Sequence, residues 1–231
     1  MDVPLSQGAM RPVTPWRTWI HRVLDLGASR LALALAVLLV LVSLALPFWT
    51  LGGVVGTRQD ISSFSWTTVT TDLYRGGAWD GTTILPYTSS QFAYPSVAGV
   101  LGTAYLLDVL LFGVLAVVLG LFSIDYSRTM STLSLLIVSL IVLGVALLAL
   151  FYPIVAIPGA ATTDVGTFTI GGFWGSAGVP APRADWSWGP GLGWWILLVA
   201  VVLGIVGAVL PYLKSIRAIA PPAPRAWRPS T

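Results

Sequence analysis

The chain has 231 residues, of which 56% are hydrophobic and 9% are charged, a composition outside the range of soluble domains. It contains no cysteine, which excludes disulfides and cysteine-based zinc or iron–sulfur sites. Its formal net charge is +3. Because the basic residues sit mostly beside apolar segments, we interpret this charge as a membrane-topology signal and predict no nucleic-acid partner.

The N-terminal segment, residues 1–30, is predicted to be cytoplasmic and to contain an amphipathic helix over 14–27. Thr14 is a suitable N-cap residue. Trp16 and Trp19 begin an apolar stripe with helical spacing, and basic residues lie off that stripe. This pattern is typical of helices that lie on anionic lipid. The alternative is that the first membrane span starts early.

Four apolar segments follow, each long enough to cross a bilayer, which requires about 20 residues. They are residues 31–49, 98–122, 132–152 and 193–213. Together they predict an all-α membrane protein over 31–213, a four-helix transmembrane bundle. Two outer loops, 50–97 and 153–192, are predicted to form a small extracellular β-sheet.

The distribution of basic residues predicts which side of the membrane each segment faces. Nine of the 12 Lys and Arg residues lie in segment 1–30, at Arg128 in a short turn, or in the tail 214–231. The other three lie in the outer loops. The positive-inside rule therefore predicts cytoplasmic termini and outer loops on the far side of the plasma membrane. The tail is proline-rich and is predicted to be disordered.

Tryptophans cluster where the predicted spans end. Trp49 closes the first span, and Trp194 and Trp195 open the fourth. Tryptophan prefers the membrane–water interface, where its ring meets hydrocarbon and its N–H meets water. We therefore predict that these three residues, together with Trp16 and Trp19, are interfacial anchors.

The outer loops carry strand patterns. Residues 61–74 are rich in Thr, Ser and aromatic residues and show the two-residue period of a strand. Residues 82–87 predict a second short strand. Residues 162–170 repeat the pattern in the second loop. Because unstructured loops of this length are uncommon, we predict one compact sheet of at least three strands.

The order of these segments resembles the claudin and peripheral-myelin-protein family. The closest sequence match is "ALPFW" (45–49), in which Pro47 and Trp49 close the first span. The resemblance implies a tetraspan fold with a sheet outside the membrane. The family's Gly-Leu-Trp motif and paired loop cysteines are absent, and Trp66 is the nearest counterpart of its loop tryptophan. The composition favours a prokaryotic protein of similar build.

Small residues form stripes on two spans. The second span carries Ala98, Gly102, Gly113, Ala116 and Gly120, and the fourth carries Gly193, Ala200, Gly204, Gly207 and Ala208. Such stripes let helix backbones approach closely in lipid. They predict a tightly packed bundle, and either these helix faces or the outer loops are predicted to bind a protein partner or a second copy of the chain.

Asp108 is the one ionisable residue placed deep in a predicted span. Tyr105 lies one turn away on the same helix, and Ser43 and Ser139 are candidate partners on neighbouring helices. A charge at this depth is costly. Two interpretations stay open: a structural hydrogen bond between helices, or a proton or cation site.

No other pattern indicates chemistry, so we predict no catalytic, cofactor-binding or metal-ligating residue. The leading hypothesis is a non-enzymatic membrane protein whose outer sheet is an interaction surface, in adhesion, in envelope organisation or as a subunit of a complex. The alternative is a small transporter or channel that uses Asp108. A lipid-modifying enzyme is the third possibility.

Overall fold

The computed structural model describes residues 27–124, 130–179 and 184–219. These contain four helices and six strands. In chain order the elements are α1 (Ala28–Leu44), β1 (Trp49–Val55), β2 (Arg58–Phe64), β3 (Thr68–Arg75), β4 (Ala78–Pro86), α2 (Pro95–Ser123), α3 (Thr132–Val165), β5 (Gly175–Val179), β6 (Ala184–Pro190) and α4 (Leu192–Ile219).

The all-α class predicted from the sequence is wrong. The six strands form one antiparallel sheet in the order β4-β3-β2-β1-β6-β5, which is a major part of the fold. Among the described helices three, α2, α3 and α4, are long and apolar enough to cross a membrane, so this is a membrane protein. The first helix, α1, has 17 residues and falls short of that length. The described residues therefore contain three helices of spanning length and one shorter apolar helix, instead of the predicted four spans.

The first predicted span is too long because apolar sequence continues after the helix has ended. α1 ends at Leu44, although the apolar residues run on to Trp49. Pro47 lacks a backbone N–H and disfavours helical geometry in the residue before it. The Phe48 N–H then donates to the Phe64 carbonyl at 2.7 Å, which brings the chain into the sheet. Hydropathy does not separate a buried strand from the end of a span.

The third predicted span is too short for the opposite reason. α3 continues past Tyr152 to Val165, through Pro153 and Pro158, and ends at Gly166 with a φ of 66°. Residues 153–165, which we assigned to the outer loop, are therefore helical. The strand predicted over 162–170 is wrong, because it begins in this helix and continues in coil. Similarly, α4 includes residues 214–219, which we assigned to the tail.

The first loop contains more strands than the two that were predicted there. Residues 61–74 form two strands, β2 and β3, which pair with each other across a turn. Residues 82–86 of the predicted strand 82–87 belong to the longer strand β4, and Tyr87 lies outside it. Strand β1 was not predicted, because its glycines weaken the strand pattern.

The helices pack in a ring, since α1 and α3 each contact both α2 and α4. The glycines of α4 make its contact with α1 close. A methyl group on Gly207 would lie 2.7 Å from Leu33 Cγ, and Ser29 Oγ donates to the Gly207 carbonyl at 2.6 Å. The glycines of α2 differ. A methyl group on Gly102 or Gly113 would meet no neighbouring atom within 4 Å, so this stripe faces away from the rest of the chain.

The sheet joins the helices at one end of the ring. β1 follows α1 directly, and β6 leads directly into α4. Two hydrogen bonds fasten these junctions together: the Gly191 N–H donates to the Phe48 carbonyl, and the Gly193 N–H donates to the Pro47 carbonyl, both at 2.8 Å. The sheet is therefore rigidly connected to the helices beneath it.

One face of the sheet, the inner face, is packed with aromatic side chains. Gly53 and Gly175 leave room there for two indole rings, since a methyl group at either position would lie about 3 Å from the ring of Trp186 or Trp188, respectively. Phe168 packs against both rings, with centroid distances of 5.4 and 5.9 Å. These tryptophans thus belong to the core of the sheet.

Candidate functional site

The opposite face of the sheet, which we call the open face, is polar and accessible. Strand alternation and register place there Thr50, Val54, Gln59, Ile61, Ser63, Thr70, Asp72, Thr82, Ile84, Asp185 and Ser187. Ile84 is 63% exposed and Val54 is 38% exposed. Five of these eleven residues carry hydroxyl groups and two carry carboxylates, whereas neither lysine nor arginine is among them. The open face therefore disfavours an anionic partner.

A cavity of about 280 Å³, which we call the furrow, lies at the centre of the open face. Its lining comprises Thr50, Gly52, Val54, Gln59, Ile61, Ser187, Trp188 and Gly189. Gly52 and Gly189, on neighbouring strands, carry no side chains and so form its floor. Thr50 Oγ1 donates its proton to the Gly189 carbonyl at 3.2 Å, so this hydroxyl can only accept a hydrogen bond from a ligand.

Two exposed ion pairs lie at one end of strands β2, β3 and β4. Arg58 Nε donates to Asp60 at 2.9 Å, and this hydrogen bond with the charge of Asp60 raises the pKa of the Arg58 guanidinium. Arg75 lies 3.5 Å from Asp80. Both pairs are exposed, so their contribution to stability is small. Neither pair lines the furrow.

Asp108 is fully buried, and neither carboxylate oxygen has a hydrogen-bond partner among the described residues. The serines proposed as partners use their hydroxyls elsewhere. Ser43 Oγ donates to the Val40 carbonyl at 2.7 Å, and Ser139 Oγ donates to the Ala208 carbonyl at 3.1 Å. Neither serine therefore provides the hydrogen bond to Asp108 that the structural interpretation requires.

Tyr105 is held by the sheet rather than by Asp108. The turn between β2 and β3 carries Trp66, whose ring lies 5.6 Å from that of Tyr105 and 4.8 Å from that of Phe48. The indole N–H of Trp66 is buried and also lacks a partner among the described residues. The sheet thus reaches to the third turn of α2, and Asp108 lies one turn beyond this contact.

The predicted interfacial anchors occupy different environments. Trp49 is fully buried, and its indole N–H donates to the Phe173 carbonyl at 3.0 Å. Trp194 is 5% exposed, whereas Trp195 is 50% exposed. Trp195 is therefore the member of this trio that is placed to meet lipid. Trp16 and Trp19, like the amphipathic helix predicted over 14–27, lie outside the described residues.

Sequence reasoning missed a carboxylate that caps α2. Asp164, near the end of α3, accepts hydrogen bonds from the backbone N–H groups of Ser96 at 3.0 Å and Val97 at 2.8 Å. These N–H groups belong to the first turn of α2 and have no partner within their own helix. Nothing local indicates this cap, because donor and acceptor lie 67 and 68 residues apart.

Two partly buried tyrosines complete the junction between sheet and helices. The ring of Tyr94 lies 5.3 Å from that of Phe64 in an edge-on contact. Burial is the largest cause that raises the pKa of Tyr94, and the negative charges of Asp164 and Asp60 raise it further. Tyr87 donates its hydroxyl to the Ser65 carbonyl, and burial raises the pKa of Tyr87 as well.

No protein-family model matches the chain, and no curated protein matches its sequence. The resemblance to claudins therefore stays a prediction that rests on residues 45–49 and on the order of the segments.

Proposed function

We propose that the protein is a non-enzymatic membrane protein that displays its sheet as an interaction surface, in adhesion, in envelope organisation or as a subunit of a membrane complex. The observation that supports this most strongly is the open face. It is rigidly mounted on the helices, and it exposes apolar side chains such as Ile84 among hydroxyl groups. Exposed aromatic and aliphatic groups in a polar surround are typical of interaction surfaces.

We further propose that the open face lies outside the plasma membrane and that the opposite end of the helices is cytoplasmic. α1 and α3 begin at that opposite end, and α2 and α4 finish there. Nine of the 12 Lys and Arg residues lie next to these helix ends in the sequence, and three lie on the sheet side. The positive-inside rule favours this orientation.

A photo-crosslinking experiment in native membranes tests the proposed surface. A photoreactive phenylalanine analogue replaces Ile84 on the open face or, as a control, Leu140 on α3, which is 55% exposed and lies within the apolar segment 132–152. We expect a discrete protein adduct from position 84, identified by mass spectrometry, and lipid adducts from position 140. A Thr70→Arg substitution beside position 84 should remove the protein adduct. Absence of any protein adduct from position 84 would contradict the proposal.

A transport function is the second candidate, and the unpartnered carboxylate of Asp108 is the observation that favours it. Ionisable groups within membrane helices often mark ion or proton pathways. Proton or sodium flux into proteoliposomes would test this for the wild-type protein and for Asp108→Asn. Flux that the substitution abolishes would support transport, and no flux from the wild type would eliminate it.

A further inference from the structure

The side chains around the furrow point to a particular kind of ligand. Ser187 is exposed, and its Oγ lies over the glycine floor, 3.3 Å from the position of a methyl group on Gly52. Neither Ser187 nor Gln59 forms a side-chain hydrogen bond within the described residues. A hydroxyl and an amide, each able to donate and accept, therefore converge on one cavity.

An exposed tryptophan side chain starts beside the same cavity. Trp174 directly precedes β5 and is 63% exposed. A methyl group on Gly189 would lie 3.6 Å from Trp174 Cβ, so this side chain begins next to the furrow floor on the open face. Its ring lies outside the lining of the furrow and is free to close over a ligand bound there.

The charges and the strand pairing disfavour two other ligand classes, anions and peptides that add a strand to the sheet. The lining contains no charged side chain, and the carboxylate of Asp185 is exposed on the same face. Anionic ligands such as phosphate or acidic glycans would be repelled. An extended peptide would need a free strand edge to pair with. The three strands beneath the furrow, β2, β1 and β6, are each paired on both sides.

We infer that the furrow binds a neutral sugar unit of an oligosaccharide. Trp174 packs against the C–H face of the ring, while Gln59 and Ser187 form hydrogen bonds with its hydroxyls. The volume of about 280 Å³ is near the lower limit of ligand cavities, about 300 Å³, and so matches one or two sugar rings. The inference rests on the proposed function, because it assigns a ligand class to the open face.

Binding of neutral trisaccharides to the full chain in nanodiscs, without sugar-based detergent, tests this inference. The probes are maltotriose, cellotriose and chitotriose, with trigalacturonate as the anionic comparison. Saturation-transfer NMR detects binding, and isothermal titration gives the affinity. We expect at least one neutral trisaccharide to bind and trigalacturonate not to bind.

Four variants locate the site. Trp174→Ala should weaken binding about tenfold or more, and Ser187→Ala should weaken it about threefold through one lost hydrogen bond. Gly189→Val should abolish binding by filling the furrow while Trp174 is retained. Trp79→Ala is the matched control, because Trp79 is 65% exposed but lies on β4, away from the furrow. This control should bind like the wild type.

Three results would overturn the inference: no binding of any neutral trisaccharide, tighter binding of trigalacturonate, or equal losses in Trp174→Ala and Trp79→Ala. Failure here is distinguishable from failure of the proposed function. A protein adduct from position 84 without sugar binding would refute only the sugar site. Sugar binding without any adduct would refute the protein-interaction function and leave the furrow as a sugar site.

Discussion

Replacing Asp164 by alanine tests whether a carboxylate from one helix holds the start of another. The substitution removes two hydrogen bonds, to the N–H groups of Ser96 and Val97. Loss of one capping interaction costs about 1 kcal/mol, and bonds to a charged acceptor are stronger. Two such bonds at a half-buried site predict a loss of about 2 kcal/mol in the free energy of unfolding.

Equilibrium unfolding in mixed micelles measures this loss. Asp164→Asn keeps one acceptor oxygen but places an amide N–H₂ against the second donor, so about half the loss, roughly 1 kcal/mol, should remain. Asp80→Asn is the control, because Asp80 is exposed and pairs with Arg75 at 3.5 Å. It should change stability by less than about 0.5 kcal/mol. If Asp164→Ala were no more destabilising than Asp80→Asn, the proposed role of this cap would be refuted.

Three further outcomes are expected in the same unfolding assay. Gly207→Val should lower the free energy of unfolding by about 2–3 kcal/mol, because the new side chain would collide with Leu33. Gly102→Val meets open space and should change the free energy of unfolding by less than about 0.5 kcal/mol. Equal effects of the two substitutions would refute the close contact between α1 and α4. Asp108→Leu should stabilise the protein by about 1 kcal/mol, because it removes a buried polar group without a partner; a clear loss would reveal an interaction of this carboxylate. Burial raises the pKa of Tyr87 in the folded state, so its protonated form stabilises the fold. That contribution is complete below the unfolded-state pKa of 10.0 and declines as the pH rises above it, a decline that Tyr87→Phe should reduce.

Local signals in the sequence predicted some elements well. α3 begins at Thr132, the first residue of the apolar segment 132–152, and the Ser131 hydroxyl caps it by accepting from the Ser134 N–H at 3.1 Å. The segments 98–122 and 193–213 likewise fall within α2 and α4. A continuous apolar segment and a capping residue both lie within a few residues of the helix ends that they determine. The local sequence is therefore sufficient to locate these helices.

The features that could not be predicted from the sequence depend on contacts between residues far apart in the chain. The end of α1 at Leu44 depends on the pairing of Phe48 with Phe64, and hydropathy does not report such pairing. The furrow depends on Gly52 and Gly189 lying on neighbouring strands, which becomes apparent only from the strand register. Trp188 illustrates the same limit, since Gly175 makes room for its ring in the core of the sheet.

The pairing of β1 with β6 has a consequence for the order in which the chain assembles. Thr50 and Gly189 are 139 residues apart, and Ser29 and Gly207 are 178 residues apart, yet both pairs are hydrogen-bonded. At 5–20 residues per second, a ribosome needs about 7 to 28 s to supply β6, the second partner of β1. During this interval the nascent chain carries β1 with a free edge and α1 without its glycine-lined partner. Closure of the sheet is therefore a late event, and a chain that stops before β6 exposes an edge that other strands can capture.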